Sequence, residues 1–323
     1  MNDVIINGIV NDLNIKKESV IATLKLLEEG STIPFIARYR KEVTGALDED
    51  QIRNINEVYE YQVNLLKRKE DVIRLIDEKG LLTTEIRDNI MKCDKLVEVE
   101  DIYRPYKEKK KTKATEAIKN GLEPLAKIIM TFKDIDINKI AGSYLNDNVK
   151  DIETAIKGAS YIIAEWISDN ASYRKYIRNN MINHGIIHTK KKKNSNDENG
   201  TYEMYYNYEE RVKFIKPHRI LAINRGEKED ILTVNIEVDN DCIISYLENR
   251  IIKKKDVMSY DIVKEAIKDS YKRLIFPSVE REVRSELKDI SEEAAIKVFG
   301  DNLENLLLTP PMKDITVLGF DPA

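Results

Sequence analysis

Glycine and proline are scarce, with 12 and 8 copies in 323 residues, roughly half their usual combined share of about 12%. Both residues punctuate sandwiches, barrels and loop-rich scaffolds, so their scarcity excludes an all-β or collagen-like chain and argues for long uninterrupted elements. In a sequence rich in Ile, Leu, Lys and Glu those elements are helices. Cysteine occurs only at Cys93 and Cys242, in no CxxC pair, which excludes a disulfide scaffold and a thiolate zinc site and fits a reducing compartment. No run of about 18 apolar residues occurs, and Met1 to Gly8 carries no basic leader pattern. A cytoplasmic, non-membrane protein is expected, in which the sequons at Asn170 and Asn199 stay silent.

Chemical signatures are missing as well. There is no Walker A sequence, no GxGxxG and no GxSxG elbow, so nucleotide hydrolysis and triad chemistry lose their usual anchors. With 57 acidic residues, carboxylate pairs arise by chance, and spacing nominates no acid/base pair. No catalytic residue and no cofactor are expected. The net charge of −4 gives no global attraction for nucleic acid, so any such footprint must be local.

What is present is helical periodicity. Apolar residues recur at Ile52, Ile55, Val58, Tyr59, Val63, Leu66, Val72, Ile73 and Ile76, one long helix after the N-cap candidate Asp48 and before Gly80. Ahead of it, Val20, Ile21, Leu24 and Leu27 form a helix stopped at Gly30, and Ile33-Pro34 opens a second, a helix-turn-helix-like start. Further helices are read over 151–167, with Trp166 as a core anchor, over 172–183, over 261–275, and then separately over 278–287 and 291–308. Ile220 to Ile223 reads as an element ending at Gly226. Ile231 to Val238 alternates as a strand, paired with Cys242 to Tyr246 across Asp239-Asn-Asp241 as a hairpin. The fold class is mainly α, a multi-helix scaffold with a minor β-hairpin. It divides into a helical region 1–189, a flexible polar loop 190–200, a central helical region 201–312 and a short terminal piece 313–323.

Three basic clusters stand out: Lys107 to Lys113 after Tyr103-Arg-Pro-Tyr106, Lys190 to Lys193, and Lys253 to Lys255. Each is either a solvated face or a phosphate-neutralising strip; at the first, adjacent tyrosines can also stack on unpaired bases. The candidate nucleic-acid-binding residues there are Tyr103, Arg104, Tyr106, Lys107, Lys109, Lys110, Lys111 and Lys113. Arg38, Arg40 and Lys41, with Tyr39 between them, form a further candidate that either lies on a phosphate backbone or pairs with Glu42, Asp48 and Glu49. Tyr202 to Tyr208 is read as half-buried packing, with a base platform as the weaker alternative. His184 and His188 share the four-residue spacing of helical metal ligands but lack a third ligand, so no metal is assigned.

Several longer strings resemble one family. Thr32-Ile-Pro-Phe-Ile-Ala-Arg-Tyr-Arg-Lys41, Glu100-Asp-Ile-Tyr-Arg-Pro-Tyr106, Lys111 to Thr115, Gly121 to Ala126, His218 to Glu227 and Asp269 to Arg284 closely resemble the bacterial Tex transcription accessory proteins, relatives of eukaryotic Spt6. The resemblance implies a helical N-terminal region followed by a YqgF, RNase H-like domain, helix-hairpin-helix modules and an S1 domain, the main RNA-binding module. On that resemblance Val317 to Ala323 is expected to be the first YqgF strand, the chain is expected to be a fragment, and Asp321 would match the first carboxylate of an RNase H-like site, without its partner acids. The family implies sequence-tolerant binding of nucleic acid, RNA above all and DNA in second place, in transcription. The expected function is therefore a non-enzymatic nucleic-acid-binding accessory protein. The alternative is a scaffold that docks the transcription or translation machinery and binds no nucleic acid itself.

Overall fold

The computed structural model describes residues 3–109, 111–310, 316, 318 and 319. It is 67% helical with one small antiparallel sheet, and it divides into two compact units, Met1–Glu108 and Lys109–Ala323. The polar run 190–200, expected to separate two regions, lies inside the second unit. The terminal piece 313–323 falls almost entirely outside the described residues, and with it Asp321.

The first unit contains α1 (Asp3–Leu13), α2 (Lys17–Glu28), α3 (Ile33–Tyr39), α4 (Lys41–Thr44), α5 (Glu49–Asp77), α6 (Thr84–Met91) and α7 (Leu96–Tyr103). Gly30 and Gly80, both in the left-handed region, end α2 and α5 at no steric cost. The long α5 serves two cores. Its Ile52 and Ile55 pack with Ile6, Ile9, Val20, Leu24 and Ile36, while Leu65, Val72 and Ile76 pack with Ile90, Cys93, Val99 and Tyr103. The expected stripe holds except at Val63, which is 38% exposed while Leu65 is buried, because the buried face shifts between the two clusters.

A reciprocal capping box starts α5: Gln51 N–H donates to the Asp48 carboxylate at 2.8 Å, and the Gln51 side chain accepts from Asp48 N–H at 3.0 Å. Replacing Asp48 with Ala is expected to remove about 1 kcal/mol. Urea unfolding followed by far-UV circular dichroism should shift, while fluorescence of the lone Trp166, in the second unit, should not. A coincident shift of both signals would contradict this.

The second unit contains α8 (Lys113–Lys119), α9 (Glu123–Ile129), α10 (Ile137–Gly142), α11 (Ile152–Ser168), α12 (Ala171–His184), β1 (Ile186–Lys191), β2 (Asn207–Arg211), α13 (Pro217–Lys228), β3 (Leu232–Glu237), α14 (Asn240–Ile251), α15 (Ser259–Asp269) and α16 (Phe276–Leu307). One core gathers Ile162, Ile163, Ile177, Met181, Ile236, Ile243, Ile267 and Tyr271, and the half-buried Trp166 packs against it.

The strands run in the order β2-β1-β3, antiparallel throughout. This corrects the expected hairpin. β3 forms, but its partner is β1, and Cys242 to Tyr246 belongs to α14. Asp239 is the N-cap of that helix, its carboxylate accepting from Cys242 N–H at 3.0 Å. Ile243, Leu247 and Ile251 are buried at a four-residue spacing, which only a helix places on one face.

Three further readings change. Gly226 is buried within α13 and does not end it: a Cβ there would lie 2.7 Å from Leu232 and 2.9 Å from Tyr202, so its small size lets the helix lie close on β3. The two helices expected over 278–287 and 291–308 are one, α16. It continues from α15 through a π-helical turn, Ser270–Ile275, and Pro277 follows directly, so the change of hydrogen-bond register falls where the proline supplies no N–H. Lys190 and Lys191 belong to β1, and Asp197 organises the loop that follows, accepting from the N–H groups of Thr201 and Tyr202 and from the Tyr206 hydroxyl at 2.8–2.9 Å.

Candidate nucleic-acid interface

The candidate residues separate into an internal set and a free one. In the first unit, Tyr103 is 8% exposed, and the Arg68 guanidinium and the Lys107 ammonium lie 5.6 Å and 5.4 Å from its ring centre. Both cations also bind Glu100. Burial works against ionisation of Glu100, but hydrogen bonds from Arg68 and Lys107 outweigh it and hold the carboxyl below its ordinary range. Tyr106 is half-buried against the same core, and its carbonyl accepts from Lys79 at 2.6 Å. Arg104 is half-buried. The Tyr-Arg-Pro-Tyr string thus builds the end of the unit, with the Tyr103 ring buried and Tyr106 half-buried.

In the second unit, Lys109 is 23% exposed and sits between Glu165, at 3.3 Å, and Asp169. Thr112 caps α8, accepting from Thr115 N–H at 3.1 Å, so Lys111 and Lys113 flank a helix start. Lys113 lies 4.8 Å from the centre of the Tyr161 ring, and Lys111 is exposed. Lys110 lies outside the described residues. Of the other basic runs, Lys191 covers the Tyr206 ring at 4.2 Å and Lys192 pairs with Asp230, while Lys253 to Lys255 are exposed. Tyr202 and Tyr205 are buried, in keeping with packing.

The histidine spacing also resolves. His184 ends α12 and His188 stands in β1, so they share no helix face. His188 lies between Glu209 at 3.1 Å and Glu237 at 3.3 Å, one on each neighbouring strand.

Apart from the exposed Lys111, the free set is on α3 and α4. Thr32 caps α3, Ile36 and Ala37 anchor it in the core, and the opposite face is left to solvent. There Phe35, Tyr39 and Val43 follow one another four residues apart and are 38%, 62% and 49% exposed. The Phe35 and Tyr39 rings are 5.3 Å apart at 45°. Arg40 breaks the chain between the two helices; its guanidinium lies 5.1 Å from the Phe35 ring centre and donates to the Tyr39 carbonyl at 3.0 Å. Arg38 and Lys41 are exposed.

Of the expected acidic partners, Asp48 caps α5 and Glu49 pairs with Arg53 at 3.5 Å. Among the described residues no ion pair ties Arg38, Arg40 or Lys41 to Glu42, Asp48 or Glu49. Exposed rings beside unneutralised cations suit unpaired bases and their phosphates, the rings by stacking and the cations by releasing counterions. The sequence reading found these cations and Tyr39 but not Phe35 or Val43; the signal was their four-residue spacing opposite the buried Ile36.

Comparison with known proteins adds the lineage. Residues 3–77 match the family of the Tex-like protein N-terminal domain, and residues 133–299 match the Tex central region-like family. A Bacillus subtilis protein named YdcI is 50% identical over 320 residues, 98% of this chain and 44% of its own length. The transcriptional accessory protein Tex of Neisseria gonorrhoeae is 34% identical over 316 residues, 96% of this chain and 42% of its own. Human S1 RNA-binding domain-containing protein 1 is 30% identical over 317 residues, 93% of this chain and 31% of its own. The chain therefore spans less than half the length of these relatives.

Proposed function

The chain belongs to the Tex family, and from that premise we propose that it is a non-catalytic, sequence-tolerant nucleic-acid-binding segment of a transcription accessory protein, with a preference for single-stranded RNA. The observation that carries this reading is the α3–α4 surface, where Tyr39 and Phe35 stand exposed beside Arg38, Arg40 and Lys41. The names of two relatives, a transcriptional accessory protein and an S1 RNA-binding domain protein, support the same direction. Stacking platforms accept any base and need the strand unpaired, so preference for single strands and indifference to sequence follow together.

The test is fluorescence anisotropy of labelled single-stranded RNA, double-stranded RNA and double-stranded DNA against the whole chain across a salt series. Single-stranded RNA is expected to bind tightest. Tyr39→Ala should weaken it by about 1–3 kcal/mol, and Arg38→Gln with Lys41→Gln should flatten the salt dependence. Variants of Lys107 and Lys109 test the fold instead, because both lysines hold internal carboxylates. No binding even at low salt would overturn the proposal in favour of a protein-docking scaffold. The exposed Ile296, Phe299, Leu306 and Leu307 of α16 would then be the surface to pursue.

A further inference from the structure

The first half of α16 sorts its charges by face. Glu280 turns toward the sheet and accepts from Ile236 N–H on the outer edge of β3 at 2.7 Å. Glu282 turns toward α12, where it receives Arg174 and Arg178. Arg281, Arg284 and Lys288 turn to a third face and form one wall of a cleft of about 600 Å³, whose other wall is α13 with Arg225 and Lys228. Five cations thus line the cleft against two carboxylates, Glu227 and Glu292, in a chain whose net charge is −4.

The cations divide in turn. Arg284 is fixed by Glu227 and by Asn224. Arg225 pairs with Glu229 at 3.1 Å, and Lys288 with Glu292 at 3.5 Å. Lys228 and Arg281, on opposite walls and both exposed, have no carboxylate partner among the described residues. With the other three compensated within the protein, these two cations on facing walls are the charge that an anionic strand would neutralise.

We propose that the cleft between α13 and α16 is a second contact for the phosphodiester backbone of a nucleic-acid strand, distinct from the α3–α4 surface. It rests on the reading of the chain as a nucleic-acid binder and gives that reading a site in the second unit. By residue type the lining is polar or charged except for Leu221, the aliphatic stems of its long cations supplying the apolar surface rather than a separate apolar pocket. A peptide ligand would need an apolar anchor pocket, whereas a sugar–phosphate chain needs cations. Arg281 to Lys288 cover about 10 Å of helix rise, about the axial length of three nucleotides of a strand. The ion pairs of Arg284 and Lys288 hold those side chains in place beside the strand, and Lys228 and Arg281 supply the uncompensated charge.

The test is the double variant Lys228→Gln/Arg281→Gln in the whole chain, with labelled single-stranded polyuridylate as probe and a salt series. Neither residue holds an ion pair, so the fold is expected to survive, checked by circular dichroism and Trp166 fluorescence. The slope of log affinity against log salt should become shallower by about 1.4. In contrast, Tyr39→Ala should lower affinity with the slope unchanged. An unchanged slope in the double variant overturns the cleft while leaving the α3–α4 reading intact, and absence of binding by the parent chain overturns both. Polyglutamate displacing the probe as effectively as unlabelled polyuridylate also overturns the assignment, since the cleft would then accept any polyanion.

Discussion

Glu282→Ala is expected to destabilise the second unit by about 3 kcal/mol, the low end of the range for stripping the partner from a buried charge. Arg174 on α12 is fully buried, Arg178 is 7% exposed, and both guanidinium groups reach Glu282 on α16, the second at 2.7 Å. Ser278, one turn earlier, donates to the same carboxylate at 3.0 Å and accepts from Arg174 at 3.0 Å. The Glu282 side chain is 28% exposed, which places the expected loss at the low end. Glu282→Gln preserves shape and an acceptor but not charge, and should lose most of the same amount. Replacing all three residues, Arg174→Met, Arg178→Met and Glu282→Leu, should recover much of it, because the desolvation cost leaves with the charges. Urea unfolding read by Trp166 measures each. Glu282→Ala unfolding within 0.5 kcal/mol of the parent (roughly the scatter of surface substitutions) would refute the assignment.

The same cluster sets an acid limit. Burial pushes the Glu282 carboxyl up, but the Arg178 hydrogen bond, the charges of Arg174 and Arg178 and the Ser278 hydroxyl together pull it below the ordinary glutamate value. A carboxyl whose folded-state value is depressed contributes stability that is fully present above its unfolded value of about 4.3. That contribution is lost as pH falls through the depressed folded value. The gap in stability between the parent and Glu282→Gln should therefore be constant near neutrality and narrow on acidification below pH of about 4.

How much of this was legible varies with the range of the interactions. α5 can be read directly because apolar residues recur every three or four positions on either side of the shift in its buried face and both halves of its capping box, Asp48 and Gln51, lie three residues apart. β1 was hidden: it buries only Ile187 and Thr189, ends in lysines, and meets strands that begin at Asn207 and Leu232. α14 was misread because Asp239-Asn-Asp241 serves equally as a hairpin turn or a helix cap, and tertiary burial of Ile243 and Leu247 decides between them. The continuity of α15 into α16 was hidden because a proline that suits a first turn says nothing of the π-helical turn before it. At the candidate site, the cations are visible in the sequence but their partners are not. Asp169 is 60 residues from Lys109 and Glu282 is 108 from Arg174, so which cations are free for a ligand was decided only by the fold.

Gly185→Ala is expected to be the other severe change, although the residue lies in no helix or strand. Its backbone, at φ −64° and ψ 149°, suits any L-amino acid, so the requirement is for space. A Cβ would stand 2.3 Å from the Met181 carbonyl oxygen and 3.0 Å from Ile236 Cγ2. Relief by movement is blocked on both sides: Gly185 N–H donates to that Met181 carbonyl at 2.9 Å, and the Gly185 carbonyl accepts from Val212 N–H at 2.9 Å. The first bond closes the last turn of α12, and the second joins the start of β1 to the residue after β2. A shift large enough to admit the methyl group loosens one or the other, and a cost of about 3 kcal/mol follows, the upper part of the usual overpacking range. The same substitution should have the opposite sign at Gly300 within α16, where nothing lies within 4 Å of an added Cβ. Alanine there should stabilise by up to about 1 kcal/mol through helix propensity. Urea midpoints at unchanged slope separate the two cases. A Gly185→Ala midpoint at or above that of the parent would mean that the junction yields, and that the register of β1 against β2 is not fixed by this glycine.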